Sequence, residues 1–223
     1  MRQVTVVSVP GLVPEVVLRL ASEPIAPWEA SEVKLGAVQP PPFWAHAWPG
    51  GLALARLVLD SPDLVRGKRV LDFASGCGVS AIAAARAGAA EVIASELDAF
   101  AIAAIEENAA LNQVQVTVSA EDVIGRDDGW DTVLVGDVFY QAELSRRVMA
   151  WLVALTARGA VVRIGDPGRS FLPMALLECV ATFDVPPVIA WDSVVDRPAR
   201  VWRVQQIGSP SPRPSPPRGE GDR

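Results

Sequence analysis

A chain of 223 residues, half of them apolar and 21% charged, has material for one substantial hydrophobic core and little for a second. Its formal charge is -6, and Lys34 and Lys68 are the only lysines among twenty basic residues. It therefore lacks the clustered positive surface that a phosphate backbone requires, and nucleic acid is not an expected partner.

Two cysteines, Cys77 and Cys179, are too few for a disulfide scaffold, which fits a reducing cytosol. An apolar run opens the chain from Val4 to Val9, but Pro10, Pro14 and Glu15 interrupt it and no cleavage site follows, unlike a secretory signal. No run reaches the roughly 18 uninterrupted apolar residues that span a bilayer, so the expectation is a soluble cytoplasmic protein with no membrane partner.

Leu12, Val13, Val16, Val17 and Leu20 recur at helical spacing. They predict an amphipathic helix entered by Pro14 and ended near Pro24, and residues 1–40 are expected to form a helical extension packed on the core. From Gln39 to Gly51 four prolines and two glycines surround Phe43, Trp44, His46 and Trp48. This stretch reads as an ordered aromatic loop leading into a helix from about Leu52 to Leu59.

From Lys68 onward short β-branched runs alternate with Ala/Leu-rich ones, the pattern of strand-helix units on a parallel sheet. Strands are predicted near Arg69 to Asp72, Glu91 to Glu96, Val114 to Ser119, Thr132 to Asp137 and Ala160 to Gly165. Helices are predicted near Val79 to Ala87, Ala99 to Leu111, Gln141 to Ala157 and around Phe171 to Val180. Two last runs, Val188 to Val195 and Arg200 to Ile207, are joined by so short a connection that they must pair antiparallel. The fold class is thus α/β, a Rossmann-like doubly wound seven-stranded sheet, mostly parallel with a C-terminal antiparallel hairpin. Residues 41–207 form this domain, and the Ser/Pro-rich tail 208–223 is expected to be disordered.

The stretch Val70-Leu71-Asp72-Phe73-Ala74-Ser75-Gly76-Cys77-Gly78-Val79 is a strand ending near a carboxylate, a turn of small residues and a helix start. That is a nucleotide-handling loop. Gly76-Cys77-Gly78-Val79-Ser80-Ala81 also fits the dinucleotide form G-x-G-x-x-A, and Glu96 stands twenty residues beyond Gly76, suited to a ribose diol. Charge separates the candidate cofactors. NAD brings an anionic pyrophosphate, whereas S-adenosylmethionine brings an ammonium and a sulfonium with one carboxylate. Asp72 would oppose the first and complement the second, directly or through water, so the balance tips to S-adenosylmethionine. Asp98 reads as the cap of the helix from Ala99. Glu121-Asp122-Val123 pairs a carboxylate, Asp122 preferred, for an adenine amino group with an apolar residue for the ring face.

Gly136-Asp137-Val138-Phe139-Tyr140 falls at the C-terminal edge of the fourth predicted strand, where open α/β sheets bind ligands. There Asp137 and Tyr140 can orient an amine and Phe139 can wall it. His46, the lone histidine, has no metal-ligand company and reads as structural. Asp166 and Arg169 read as fixing a turn, and Cys77 as a small packed side chain.

Together these residues resemble the seven-stranded methyltransferases, in particular the group with D-x-x-Y after strand four. The electron-transfer flavoprotein beta-subunit lysine methyltransferases are similar over roughly Pro41 to Ile207. The likeness rests on Pro42-Phe43-Trp44-Ala45, Trp48-Pro49-Gly50-Gly51, Asp72 to Gly78, Glu96-Leu97-Asp98, Asp137 to Tyr140 and Gly165 to Arg169. It implies that Asp137 and Tyr140 line a lysine pocket, that Trp44 to Gly51 closes over the cofactor, and that the substrate is the electron-transfer flavoprotein beta subunit. The cofactor set expected is Asp72, Ala74, Gly76, Gly78, Glu96, Leu97, Asp122, Val123, Trp44 and Trp48, with no metal and a monomeric chain. Ala74 stands where the family has glycine, so the backbone there is expected to avoid positive φ.

A free lysine amine has a pKa near ~10.4, and its protonated form has no lone pair to react. Asp137 would raise that pKa, so it is expected to position the amine, while Phe139 and Trp44 desolvate it. Alignment of nitrogen, methyl and sulfur should supply most of the rate. Alternatives left open are a small-molecule or ribosomal-protein N-methyltransferase, an NAD(P)-dependent oxidoreductase, and a cofactor-binding protein without chemistry.

Overall fold

In the computed structural model, which describes residues 4–23, 25–185 and 198–205, the first elements are β1 (Thr5–Ser8), β2 (Leu18–Ala21), α1 (Ala26–Leu35) and α2 (Pro49–Asp60). The strand-helix alternation follows: β3 (Arg69–Phe73), α3 (Val79–Arg86), β4 (Glu91–Ser95), α4 (Ala99–Leu111), β5 (Thr117–Ser119), β6 (Thr132–Gly136), α5 (Ala142–Arg158) and β7 (Val161–Asp166). The last strands are β8 (Leu177–Phe183) and β9 (Ala199–Val204).

Seven strands form one sheet in the order β5-β4-β3-β6-β7-β9-β8. Pairing is parallel from β5 through to β7. β9 then runs antiparallel to both β7 and β8. Alternation within strands feeds a core on each face. Leu71, Val133 and Val135 pack with Val148, Leu152 and Leu155 of α5, whereas Val70 and Leu134 pack with Leu54 of α2, Ala81 of α3 and Ile105 of α4. The predicted doubly wound fold is therefore present.

Two predicted helices are corrected. Residues 12–23 form no helix. Val13 and Val16 close turns and the chain enters β2, which pairs antiparallel with β1. Val13, Val16 and Leu18 are fully buried, so the apolar residues face the core as expected, but from extended backbone. Side chains of α4 decide this. Asn112 accepts from the Val17 amide at 3.0 Å and donates to the Val17 carbonyl at 2.6 Å, standing in for a neighbouring strand. Asn108 accepts from the Arg19 amide at 2.7 Å and donates to the Cys77 carbonyl at 2.8 Å, tying the hairpin to the glycine loop. The extension does hold a helix, α1, whose signals were present in Pro27 near its start and Gly36 as a left-handed cap.

The helix predicted from Phe171 to Val180 is instead a 3-10 turn, Met174–Leu176, followed by β8. Pairing of Leu177 with Val204 through Phe183 with Ala199 outweighs local helical spacing. The hairpin exists, but its first described strand is β8; the run Val188 to Val195 and the tail 208–223 lie outside the described residues. Among the described residues no helix is long and apolar enough to cross a membrane, and no cluster of His, Cys, Asp and Glu could hold a metal ion.

Candidate active site

β3 has β4 on one side and β6 on the other, so the sheet reverses its winding there and the C-terminal ends of β3 and β6 open a crevice. A cavity of about 480 Å3 fills it. Its floor is the loop after β3, in which Ala74, Gly76 and Gly78 all have positive φ, of 53, 58 and 82°. The expectation for Ala74 is thus corrected. The chain must reverse between β3 and α3 in a few residues, and the loop imposes the left-handed conformation even on alanine. Gly76 lines the cavity, and a Cβ there would meet no atom within 4 Å, so its bareness leaves cavity space open. Gly78 caps α3, and a side chain there would press on Ile105; it shapes the backbone and lines nothing.

Asp72 lies beneath the loop, outside the cavity wall. Its carboxylate accepts from the Ala81 amide at 3.0 Å and from the Ser75 hydroxyl, fastening the first turn of α3 to the glycine loop. Burial pushes its pKa up to about 7, against those two hydrogen bonds. A direct contact with a ligand is not its position here; it organises the loop and takes one of the helix donors a pyrophosphate would need. Cys77 is buried as a small side chain, as predicted.

Glu96, just past β4, does face the cavity. One oxygen accepts from the Gly76 amide at 2.9 Å and the other from the Leu97 amide at 3.0 Å. A carboxylate offers about four acceptor sites, so capacity remains for a diol. Burial raises its pKa, opposed by the loop amides. Leu97 is exposed on the same wall, and Asp98 caps α4 through the Phe100 amide at 2.7 Å while also lining the cavity. After β5, Asp122 lines the cavity, accepting from the Ile124 amide at 3.0 Å and pairing with Arg147 at 3.2 Å. Val123 does not: it is 2% exposed and belongs to the core, and Ile124 takes the place predicted for it.

The segment Phe43 to Gly51 forms one aromatic side. Trp44 is buried against Phe100, with ring centroids 6.1 Å apart, and Trp48 donates from its indole to the Phe43 carbonyl at 2.7 Å. Both tryptophans line the cavity, so they pack and face the site at once. Tyr140 sits 5.6 Å from the Phe43 ring, and burial raises its pKa. Phe139, predicted as a wall, is fully buried in the α5-side core. The left-handed φ of 58° at Asp137 turns the chain after β6, and the walls are Phe73 and Phe43 instead.

Asp137 is the meeting point of three elements. Arg169, beyond β7, donates to its Oδ1 from Nε at 3.1 Å and Nη2 at 2.8 Å; the Gly51 amide at the start of α2 donates to Oδ2 at 3.1 Å. Burial raises its pKa, and the guanidinium and the amides of Gly50 and Gly51 pull it down. Arg169 also lies 5.4 Å over the Trp48 ring. In sequence it signals only a turn, because its approach to Asp137 depends on β6 and β7 being neighbours. Asp166 does fix that turn, accepting from the Gly168 and Arg169 amides at 2.7 Å each. His46 is buried behind Trp48 and plays a packing part.

Five carboxylates, of Glu96, Asp98, Glu121, Asp122 and Asp137, line the cavity against the guanidiniums of Arg147 and Arg169. Such a cavity suits cationic ligands more than anionic ones.

The family described as ribosomal protein L11 methyltransferase (PrmA) matches residues 54–137. An electron transfer flavoprotein beta subunit lysine methyltransferase from Danio rerio is 37% identical over 89% of this chain and 79% of its own length. The one from Xenopus laevis is 46% identical over 58% of this chain, which spans about half of that relative's length, 54%. Among solved structures, the Pyrococcus abyssi tRNA (uracil-54, C5)-methyltransferase in complex with S-adenosyl-L-homocysteine is 19% identical. It has a TM-score of 0.51, covering 68% of this chain and 38% of that one, and is similar in fold.

Proposed function

This chain belongs to the family of electron transfer flavoprotein beta subunit lysine methyltransferases, and from that premise we propose that it is an S-adenosylmethionine-dependent protein-lysine N-methyltransferase acting on the electron-transfer flavoprotein beta subunit. The observation that carries this reading is one acidic, aromatic-sided cavity at the sheet's reversal point that brings Glu96 and the glycine loop together with Asp137 and Tyr140.

The residues fit the cofactor. Glu96 holds acceptor capacity beside Gly76 for a ribose diol, Leu97 and Ile124 offer apolar surface for an adenine, and Asp122 stands close by for its amino group. The excess of carboxylates favours a molecule carrying ammonium and sulfonium over a dinucleotide. When bound, S-adenosylmethionine supplies a methyl carbon on a cationic sulfur, which an amine lone pair takes as the carbon–sulfur bond breaks and the amine's proton leaves to water. The chain's own part is to bind, align and desolvate. Trp44, Trp48 and Phe43 exclude water from the approach, Tyr140 orients the amine, and Asp137 fixes the wall it meets.

The remaining expectations belong to the same reading. Residues 41–207 would carry the chemistry and 1–40 would strap α4. Cys77 and Cys179 are free thiols, which suits a monomer working in the cytoplasm. A second reading, methylation of a ribosomal protein, is favoured by the family match over 54–137.

The test is methyl transfer from labelled S-adenosylmethionine to purified electron-transfer flavoprotein, ribosomal protein L11 and a metabolite pool, read by mass spectrometry. The expected result is added methyl on lysines of the flavoprotein beta subunit. Label only in L11 would favour the second reading, and label confined to small molecules would reject both. Calorimetric titration should show S-adenosylmethionine binding and no NAD binding; the reverse would end the methyltransferase reading.

A further inference from the structure

The Asp137 carboxylate is buried and its hydrogen-bonding capacity is largely engaged. Two donors of Arg169 reach Oδ1 and the Gly51 amide reaches Oδ2, and the side chains of Asp137 and Arg169 are only 9% and 10% exposed. Both residues line the cavity beside Tyr140, where an incoming amine must end its path.

An unpaired buried carboxylate at that place would hold a lysine as ammonium, which has no lone pair. A guanidinium in hydrogen-bond contact cancels that pull with a charge that no working pH removes. We propose that Arg169 is a positioning residue that neutralises Asp137 and aims it at the start of α2, so that the arriving lysine amine meets a neutral pair that does not hold it as ammonium. This rests on the function proposed above.

Other charged and titratable groups face the same space: Glu96 and Asp98 from the end of β4, Glu121 and Asp122 after β5, Arg147 of α5 and Tyr140 after β6, with Asp166 of β7 behind Arg169. The Pro49-Gly50-Gly51 start of α2 adds no charged side chain. Asp166 and Tyr140 feel the charges of the pair, so a charge series on the pair is also run in an Asp166→Asn background, where an acid limb of kcat that no longer moves would assign the shift to Asp166 and overturn the inference.

The experiment compares wild type, Arg169→Gln, Asp137→Asn and the double variant Asp137→Asn/Arg169→Gln. Their pair charges are 0, -1, +1 and 0. The pH dependence of kcat, which reports groups in the enzyme–substrate complex, is followed over long incubations by mass spectrometry. Calorimetry with S-adenosylmethionine shows that each variant is folded. The acid limb of kcat is expected to move up by about one pH unit in Arg169→Gln and down by a similar amount in Asp137→Asn. In the double variant it should return to the wild-type position, whatever the loss in absolute rate. A limb that holds its place through the series would overturn the inference and leave Arg169 a purely structural clamp. Should Arg169→Gln not fold, Asp137→Asn against the double variant decides: a limb about one unit lower in the single variant supports the inference, and equal limbs overturn it. A wild type that methylates no protein lysine would bring down the function and this inference together, whereas an active wild type with a fixed limb would remove the inference alone.

Discussion

Ala74 and Asp137, at the mouths of β3 and β6, hold φ at 53 and 58°. For a residue with a Cβ this conformation costs on the order of 1–2 kcal/mol, less for aspartate, whose short polar side chain bonds locally. Asp137 is held instead by long-range bonds from Arg169 and Gly51, whereas the Ala74 methyl has no polar atom to bond. Ala74→Gly should therefore leave stability unchanged or raise it by up to about 1 kcal/mol, the relief of strain being partly offset by the extra freedom of the unfolded chain. Urea unfolding checks this, and a clear loss of stability would mean that the alanine methyl makes contacts worth more than the strain. The motif from Asp137 to Tyr140 after β6 is visible in sequence as a candidate site, but the guanidinium partner of Asp137 is not, since 32 residues separate it from Arg169.

At the level of elements, the start of α2 is wedged against the ends of β6 and β7 by bare backbone. A Cβ built on Gly50 would overlap the Gly165 carbonyl and the Asp137 carboxylate, and one on Gly165 would overlap the Gly50 carbonyl. A Cβ built on Gly136 would lie 3.1 Å from the Gly51 amide nitrogen, a milder crowding. This contact brings the Gly51 amide to Asp137 and so joins the aromatic segment to the Asp137 wall of the cavity. Gly50→Ala should cost at least about 1–3 kcal/mol, because backbone cannot swing aside as a side chain does. It should also lower methyl transfer more than tenfold by displacing Asp137. A variant with wild-type urea midpoint and activity would show that α2 can shift freely. Pro49-Gly50-Gly51 reads in sequence only as a loop running into a helix; its role becomes legible once β6 and β7 are neighbours at the register Gly136 to Gly165.

For the molecule as a whole, two buried carboxyls set a pH dependence. Burial raises Asp72 to about 7 and Asp166 to about 6, from an ordinary 3.8. Between about pH 4 and 7 the folded protein therefore keeps protons that the unfolded chain has released, so stability falls as pH rises through that window and levels off above it. For Asp72 the full change is on the order of a few kcal/mol. Urea unfolding at pH 5, 6, 7 and 8 measures the slope, and Asp72→Asn should flatten most of it. Stability that instead climbs from pH 5 to 7 would mean that Asp72 is ionised in the folded state at all these values.

What the amino-acid order determined unaided was local and periodic. Alternating β-branched runs named the five parallel strands, 3.6-residue spacing named α3, α4 and α5, and the small residues from Ala74 to Gly78 announced a tight turn between strand and helix, because each depends on residues within one turn or one strand. Tertiary structure decided the rest. Asn108 and Asn112 drew residues 17–19 into extended backbone, β9 drew residues 177–183 out of a helix, and Arg169 came to Asp137. In every one of these cases the deciding partner lies far away along the chain, and hydrogen bonds across such distances outweigh a propensity worth only tenths of a kcal/mol per residue.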